Sequence, residues 1–249
     1  MRIAIIGFGK MAQAILDCLP YKNISCSHII SRKAPAEPQK ITILNDVSLL
    51  PFDKIDAIID FSAPEGLLDR TKVIAAAKKP YVIGTTGWES ISQEIFSTIQ
   101  SQNSSLLWGP NFSIGIALYL NICSYANKLL AKHPEFDVGI YERHHRQKAD
   151  HPSGTAKLLA QQIIENSANK DSSISHLPPG PIEQSQLHVG YSRSGTNPGY
   201  YEVLFENQTD AITLSHQAYS RSAYAQGALE AALWLHGKKG IFTFNQIMA

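Results

Sequence analysis

A β-branched run, a glycine turn and a helical pattern open the chain, and this order constrains the fold more than any other stretch. The run Arg2-Ile3-Ala4-Ile5-Ile6 has the composition of a buried strand, and Gly7-Phe8-Gly9 follows it directly. Apolar residues then recur at helical spacing from Met11 to Leu19. In dinucleotide-binding folds the first such glycine forms a tight turn, and the second lets the backbone approach a pyrophosphate. The opening therefore predicts a nucleotide-binding turn at Gly7 and Gly9, with a plain glycine-rich turn as the alternative.

Strand and helix patterns continue to alternate beyond this opening. Further strand-like runs lie near residues 26–30, 41–44, 57–61, 81–83 and 105–108. Such repeated βα units predict an α/β fold with a Rossmann-type, doubly wound parallel sheet. Phe61-Ser62 and Gly84-Thr85-Thr86-Gly87 each follow the end of a predicted strand, where ligands bind in open α/β sheets. We therefore expect these two segments at the nicotinamide side of the site.

The segment after the second predicted strand bears on cofactor choice. Ser31-Arg32-Lys33 lies about 20 residues beyond the glycines, where this fold places its ribose-reading side chain. The sequence has no Asp or Glu between Asp17 and Glu37. An acidic side chain would bind a ribose 2′-hydroxyl, whereas Arg32 and Lys33 suit a 2′-phosphate. The segment predicts NADPH as the preferred cofactor and NADH as a weaker one, and a solvated loop with two cations is the alternative.

The pattern changes in the second half of the chain. An apolar helix pattern spans residues 114–130, and a strand at 136–141 and a helix at 156–164 follow it. Residues 169–181 have the composition of a long surface loop, and three strand-like runs (186–192, 200–207 and 211–217) then occur without an intervening helix. This predicts a smaller α+β domain with a mixed or antiparallel sheet. We expect a dinucleotide-binding domain at 1–112, completed by the C-terminal helix within about 218–249, and a second domain at 113–217.

Proton-transfer groups are concentrated between Glu142 and His151, which hold three histidines, three cations and two carboxylates. Ser153-Gly154-Thr155 follows at a predicted helix start, where unpaired amides and the helix dipole favour a carboxylate or phosphate. His144, His145 and Lys148 are then expected within reach of the bound anion. A solvated basic loop is one alternative. A metal site formed by His144, His145, Asp150 and His151 is another, but none of these pairs has the one-turn helical spacing of metal-binding helices, and we predict no metal.

Composition limits the classes of partner. With 249 residues, 44% hydrophobic content and 17% charged residues, the chain matches ordinary globular proteins. A formal net charge of +1 gives no electrostatic case for nucleic acid or an anionic membrane, so we expect a small-molecule ligand. Three scattered cysteines suit reduced thiols, and no apolar run reaches about 18 residues. We expect a soluble, cytoplasmic protein.

These motifs together resemble the dihydrodipicolinate reductase family, also called 4-hydroxy-tetrahydrodipicolinate reductases. Glu142-Arg143-His144-His145, followed by Lys148, Asp150 and Pro152-Ser153-Gly154-Thr155-Ala156, is similar to the family signature. The resemblance extends to Gly7-Phe8-Gly9-Lys10-Met11, Asp60-Phe61-Ser62, Gly84-Thr85-Thr86-Gly87, Asn111-Phe112-Ser113-Ile114-Gly115 and Arg221 with Ala225-Gln226-Gly227-Ala228. Two departures are Ala12, in place of a common glycine, and the missing acidic residue near Arg32 that some members use to accept NADH.

The resemblance implies NAD(P)H-dependent reduction of 4-hydroxy-tetrahydrodipicolinate (dihydrodipicolinate) to tetrahydrodipicolinate, in diaminopimelate and lysine biosynthesis. It makes His144 the general acid and Lys148 the second catalytic group, and it implies a homotetramer built through the second-domain sheet. The substrate-binding residues it implies are His145, Lys148, Ser153, Gly154 and Thr155. The implied cofactor-binding residues are Gly7, Gly9, Lys10, Met11, Phe61, Gly84, Thr85, Thr86, Asn111 and Phe112, to which the charge pattern adds Arg32.

Proton donation suits this assignment, because a histidine whose pKa lies near neutrality can protonate the product of hydride addition. A lysine cation can stabilise the developing negative charge or bind a carboxylate of the dicarboxylate substrate. Two other functions stay open. One is a reductase of another imino or oxo acid. The other is a non-catalytic dinucleotide-sensing protein, which would not need His144 and Lys148 beside an anion site.

Overall fold

The computed structural model describes residues 1–21, 23–32, 41–167 and 169–248, which form two compact units. The first unit comprises Met1–Ile114 and Arg221–Ala249, and the second comprises Gly115–Ser220. The strands are β1 Arg2–Ile6, β2 Ser25–Ile30, β3 Thr42–Leu44, β4 Ala57–Asp60, β5 Tyr81–Ile83, β6 Ser105–Trp108, β7 Asp137–His144, β8 Ser172–Ile174, β9 Gln186–Arg193, β10 Gly199–Glu206, β11 Ala211–Ala218 and β12 Gly240–Thr243. The helices are α1 Lys10–Cys18, α2 Leu67–Ala76, α3 Ser92–Ser101, α4 Ile114–Leu130, α5 Gly154–Glu165 and α6 Ser222–Leu235.

A seven-stranded sheet forms the centre of the first unit, in the order β12-β6-β5-β4-β1-β2-β3. All neighbouring strands run parallel, which confirms the predicted doubly wound sheet. All four residues of β4 are buried, as are four of the five in β1, so these strands are buried on both faces. Because β1 and β4 are adjacent and parallel, the turns that follow them lie at the same edge of the sheet.

Two elements of this unit differ from the sequence expectations. Proline is common in the first turn of a helix, so the sequence favours a helix start near Pro64, but α2 begins at Leu67, after Gly66, whose φ of 71° lies in the left-handed region. Gly240–Thr243 forms a seventh strand beside β6, although the sequence analysis placed no strand after the C-terminal helix. This strand has only four residues, and none of them is fully buried, so the usual apolar signal is weak.

The second unit contains a five-stranded sheet in the order β11-β10-β7-β9-β8. Strand β10 is antiparallel to β11 and β7, whereas β7, β9 and β8 are mutually parallel, which confirms the expected mixed sheet. One sheet face packs with helices α4 and α5 in a single apolar core. The prediction of a continuous loop at 169–181 was wrong, because Ser172–Ile174 pairs with β9.

Helix α4 of the second unit buries one side in the core and exposes the other. On α4, the longest helix of the described chain at 17 residues, Ile116, Leu120 and Cys123 face the core. Leu118 and Ile122 on the same helix are exposed. Within the described ranges, no helix combines the length and the apolar content needed to cross a lipid bilayer.

Candidate active site

The polar run of the second unit begins inside a strand. The predicted strand ended at Tyr141, but β7 continues to His144, since Arg143 pairs with Tyr200 on one side and His144 with Arg193 on the other. Side chains alternate along a strand, so Glu142 and His144 point toward the helices. The side chains of Glu142 and His144 are 0% and 3% exposed. The alternative of a solvated loop is therefore wrong for these two residues.

Glu142 is the centre of a buried polar cluster. Its Oε1 accepts hydrogen bonds from the Ser153 amide at 3.0 Å and from Arg193 Nη2 at 2.7 Å. The same Arg193 nitrogen donates to the Asp150 carbonyl oxygen at 2.8 Å. A buried carboxylate is costly unless it is paired and hydrogen-bonded, and Arg193 and Ser153 meet this need. The sequence did not reveal Arg193 as a site residue, nor that Glu142 belongs to a hydrogen-bonded network. Only the pairing of β7 with β9 brings these two residues together.

His144 lies between Glu142 and Tyr201. Its Nδ1 is 3.5 Å from Glu142 Oε2, and its Nε2 is 3.0 Å from the Tyr201 hydroxyl oxygen. Tyr201 is opposite Glu142 in the pairing of β10 with β7, so it projects from the same sheet face. The Ser153 hydroxyl lies 3.4 Å from the Tyr201 hydroxyl. Tyr201 is thus a further residue of the site that the sequence analysis did not identify.

The protonation of His144 differs from the expected one. Burial lowers the pKa of His144 to about 4. Glu142 and Asp150 act in the opposite direction, while the positive charges of Lys148 and Arg193 lower this pKa further. The expectation of a pKa near neutrality is therefore wrong for this state of the protein. His144 is neutral at pH 7, and an added anion nearby would raise its pKa.

Lys148 lies in the segment that joins β7 to α5. Its Nζ is 2.7 Å from Asp150 Oδ1, and its side chain is 23% exposed. Burial raises the pKa of Asp150, but the hydrogen bond and positive charge of Lys148 more than offset this and hold the pKa below its usual value. The half-buried His145 donates its backbone amide to the Asn197 carbonyl oxygen at 2.8 Å. The structure therefore places the Lys148 cation at the site already paired with a carboxylate.

The start of α5 adjoins this cluster. Ser153 is the N-cap residue, and its hydroxyl accepts from the Ala156 amide at 3.2 Å. The sequence analysis predicted that this helix begins at Ala156, but α5 begins at Gly154. Gly154 and Thr155 therefore occupy the first helical positions. Because Ser153 also contacts Glu142 and Tyr201, the helix start and His144 share one hydrogen-bonded cluster.

In the first unit, the glycine turn has the geometry of a nucleotide-binding loop. Gly7 has a φ of 94°, and a Cβ there would lie 3.0 Å from the Phe61 carbonyl oxygen, so the position favours glycine on both grounds. Gly9 caps α1, and a Cβ there would meet nothing within 4 Å. Lys10 and Met11 are the first two residues of α1. These four residues therefore surround the N-terminus of one helix.

The turns after β4 and β5 pack against each other. A Cβ on Gly84 would lie 2.1 Å from the Phe61 ring, which therefore covers this glycine closely. The Phe61 ring contacts the Phe112 ring edge-on, with centroids 5.6 Å apart. Asn111 Oδ1 accepts from the Ser113 amide at 2.8 Å, while Thr86 is exposed. The structure thus brings Phe61 and Gly84 together at one edge of the sheet, as predicted, and Phe112 packs against the Phe61 ring.

The buried carboxylate of Asp60 connects these turns. Its Oδ2 accepts from Arg70 Nε at 2.9 Å and from the Tyr81 hydroxyl at 2.7 Å. Its Oδ1 accepts from the Ser62 amide at 2.9 Å and from the Thr85 hydroxyl at 3.2 Å. Burial, and next the charge of Asp60, raise the pKa of Tyr81 well above its usual value, so this phenol stays a donor. Asp60 thus fixes the turns that contain Phe61 and Thr85.

Of the two cations predicted to read a 2′-phosphate, one can be placed. Arg32 follows β2 and is exposed, and the amide of its neighbour Ser31 donates to the Leu44 carbonyl oxygen at 2.9 Å. Lys33 lies outside the described residues. Across the described ranges, no group of three or more His, Cys, Asp or Glu side chains is arranged to hold a metal ion.

Comparisons with known proteins relate both units to one family. Residues 1–112 match the family profile described as dihydrodipicolinate reductase, N-terminus, and residues 115–248 match the one described as dihydrodipicolinate reductase, C-terminus. Two relatives are named 4-hydroxy-tetrahydrodipicolinate reductase. The one from Christiangramia forsetii is 30% identical and covers 100% of this chain and 98% of its own length. The one from Campylobacter concisus is 35% identical and covers 95% and 93%.

Solved structures share the fold over nearly the whole chain. A dipicolinate-bound dihydrodipicolinate reductase from Paenisporosarcina sp. TG-14 superposes with a TM-score of 0.80, at 24% identity and 99% coverage of both chains. An engineered D-amino acid dehydrogenase bound to NADP+ superposes with a TM-score of 0.59, at 14% identity, and covers 99% of this chain and 93% of its own. At these identities the superpositions relate the folds.

Proposed function

This chain belongs to the dihydrodipicolinate reductase family, and from that premise we propose which of its residues perform the family's reaction. The reaction is the reduction of dihydrodipicolinate with a nicotinamide cofactor, in lysine and diaminopimelate biosynthesis. The observation that best supports our assignment is the cluster of His144, Glu142 and Ser153 beside the start of α5. It combines a proton-transfer group with a helix N-terminus able to bind an anion.

The residues of the first unit fit a dinucleotide. The open space beside Gly9, where a Cβ would meet nothing within 4 Å, and the N-terminus of α1 together suit a pyrophosphate. When bound, a dihydronicotinamide supplies the hydride. We assign the pyrophosphate to Gly7, Gly9, Lys10 and Met11, and the nicotinamide end to Phe61, Gly84, Thr85, Thr86, Asn111 and Phe112.

We assign the substrate to the second unit. One carboxylate of a planar dicarboxylate binds at Ser153, Gly154 and Thr155, where the Gly154 and Thr155 amides donate to it while the Ser153 amide stays bonded to Glu142. The other carboxylate binds Lys148 and His145. The dipicolinate bound to the Paenisporosarcina reductase is such a dicarboxylate. In this chain, the negative charge of the bound substrate draws Lys148 away from Asp150 and raises the pKa of His144. His144 then serves as the general acid.

A spectrophotometric assay tests this function. Purified protein mixed with NADPH and the freshly made condensation product of pyruvate and aspartate semialdehyde should oxidise the cofactor in step with substrate. Oxidation only with a different imino or oxo acid would instead indicate a reductase of that acid. Cofactor binding without reduction of any of these compounds would indicate a dinucleotide-sensing protein.

Thr155→Val tests the anion site. If Thr155 and its neighbours hold a substrate carboxylate, losing the hydroxyl should weaken substrate binding by about 1 to 3 kcal/mol, the contribution of a charge-assisted hydrogen bond. KM should therefore rise more than kcat falls. Steady-state kinetics with varied substrate measures this. Pyridine-2,6-dicarboxylate should also compete with substrate rather than with NADPH.

Thr209→Val is the matched control, since Thr209 is exposed in the turn between β10 and β11 of the same unit and the KM of this variant should not change. An unaltered KM in Thr155→Val would place the carboxylate elsewhere.

Arg32→Ala tests cofactor choice. We propose that Arg32 binds a 2′-phosphate, so the protein should bind NADPH more tightly than NADH by about 1.5 to 3 kcal/mol, roughly 10- to 100-fold. The substitution should remove most of this difference by weakening NADPH binding alone. Added salt should reduce it as well, because an exposed ion pair is screened. Isothermal titration of both cofactors measures the four affinities.

Lys54→Ala is the control for net charge. Lys54 is an exposed cation just before β4, at the edge of the sheet where the strands begin. Arg32 lies at the opposite edge, because it follows the end of β2. Equal wild-type affinities for the two cofactors, or an Arg32→Ala protein that binds both more weakly, would contradict the role given to Arg32.

We also propose a homotetramer formed through the outer face of the five-stranded sheet, and a cytoplasmic location. Tyr141, a large side chain that is 38% exposed, projects from this outer face, since it alternates along β7 with the inward-facing Ile140 and Glu142. Contact between copies would remove it from water. Sedimentation equilibrium of the purified protein should give four times the chain mass of 27.4 kDa.

A further inference from the structure

Tyr201 contacts His144, although it lies on β10, outside the polar segment from Glu142 to His151. Its phenol is 4% exposed, its hydroxyl oxygen is 3.0 Å from His144 Nε2, and the Ser153 hydroxyl is 3.4 Å away. We propose that Tyr201 is a positioning residue that fixes the tautomer and ring orientation of His144 and ties it to the start of α5. This inference rests on the proposed role of His144 in the reaction.

The tautomer of His144 can be inferred from the ring nitrogen that faces Glu142. Nδ1 of His144 is 3.5 Å from Glu142 Oε2, and in the described part of the chain neither atom has a geometrically good hydrogen-bond partner. A bare nitrogen lone pair facing a buried carboxylate would be repelled, so Nδ1 carries the hydrogen. A neutral imidazole has one N–H, and Nε2 is therefore an acceptor. Tyr201 then donates its hydroxyl hydrogen to Nε2.

The charged groups around the ring support a neutral His144. Arg193 on β9 neutralises Glu142, and Lys148 and Asp150 form a second ion pair in the segment before α5. Burial of the ring lowers its pKa to about 4, with Lys148 and Arg193 adding to this effect. A phenol hydroxyl donates to a neutral imidazole and accepts from an imidazolium. Tyr201 can therefore hold the ring before and after it gains a proton.

The contacts close into a ring of four residues. The Ser153 amide donates to Glu142, Glu142 faces Nδ1 of His144, His144 Nε2 meets Tyr201, and Tyr201 accepts from the Ser153 hydroxyl. The Ser153 hydroxyl oxygen already accepts from the Ala156 amide, which leaves its hydrogen for Tyr201. Tyr201 thus fixes His144 relative to the helix start that we assign to the substrate carboxylate.

A double-mutant cycle tests the coupling. Tyr201→Phe should lower kcat about tenfold, the effect of one hydrogen bond, with the substrate KM changed by less than about twofold. In the His144→Gln background the same substitution should change kcat by less than about twofold, because its effect passes through His144. Tyr119→Phe is the matched control. It removes another buried hydroxyl of this unit, one that donates to the Leu214 carbonyl oxygen at 3.1 Å.

Nitrogen-15 NMR of the histidine rings supplies a readout independent of activity. Wild-type His144 should show the Nδ1–H tautomer at neutral pH, and Tyr201→Phe should give a tautomer mixture and a higher His144 pKa, since a donor to the neutral form is lost. A wild-type Nε2–H tautomer would overturn the inference even if the variant failed to fold. Equal losses of kcat in both backgrounds would also overturn it. Wild-type turnover in His144→Gln alone would refute the catalytic role of His144, and the NMR spectra would still decide the positioning.

Discussion

Replacing His144 with glutamine is expected to lower kcat about 100-fold, with little change in NADPH affinity. Glutamine can still hydrogen-bond to Tyr201, but it cannot take up and donate a proton. The loss corresponds to about 2.7 kcal/mol of transition-state stabilisation, within the usual contribution of a general acid. The cofactor affinity should hold, because the residues assigned to the dinucleotide belong to the other unit.

Single-turnover and steady-state measurements with NADPH would separate the chemical step from binding. His133→Gln serves as the control, because this histidine is 60% exposed and pairs with Glu135 away from the cluster. Turnover at the wild-type rate in His144→Gln would remove His144 from the mechanism.

Glu142→Ala should have the largest effect on folding. Removing one partner of a buried ion pair leaves the other without compensation, at a cost of about 3 to 5 kcal/mol. Here the loss would strand the largely buried guanidinium of Arg193 and the amide of Ser153. Because Arg193 keeps 16% exposure, we expect the lower end of that range, about 3 kcal/mol. Urea unfolding of the purified protein measures the free energy.

Glu206→Ala removes an exposed carboxylate from β10 of the same unit and should change the unfolding free energy by less than about 0.5 kcal/mol. Glu142→Gln keeps an acceptor for the Ser153 amide, so it should be less harmful than alanine. If Glu142→Ala unfolds at the same urea concentration as Glu206→Ala, the buried pair contributes nothing to stability.

Local patterns were sufficient for the architecture of the first unit. The strand, glycine turn and helix at Arg2–Cys18 are encoded within one short stretch, by β-branched residues, two glycines and helical spacing. The parallel direction of the strands then follows, because strands joined through a helix run parallel in one sheet. Short elements with few buried residues, such as β8 and β12, have no comparable signal and were missed.

Contiguous parts of the candidate site were also accessible from the sequence, since His144, Lys148 and Ser153 lie close together along the chain. Arg193 and Tyr201 were not, because they are 51 and 57 residues from their partners Glu142 and His144. Only the registers of β9 and β10 with β7 bring them to the site. The pKa of His144 was misjudged for the same reason, since burial depends on those pairings. The end of β7 was misplaced because buried polar residues do not follow the apolar alternation used to recognise strands.

The contact between Gly84 and the Phe61 ring makes two distant sequence positions interdependent. With a prospective Cβ only 2.1 Å from that ring, alanine at position 84 is tolerated only if position 61 becomes smaller or its ring moves. Removing the ring alone opens a void beside Phe112 instead. Mutations at these sites should therefore be strongly epistatic. Any attempt to reshape this part of the first unit has to search the two positions jointly, since variants sampled singly would all look harmful.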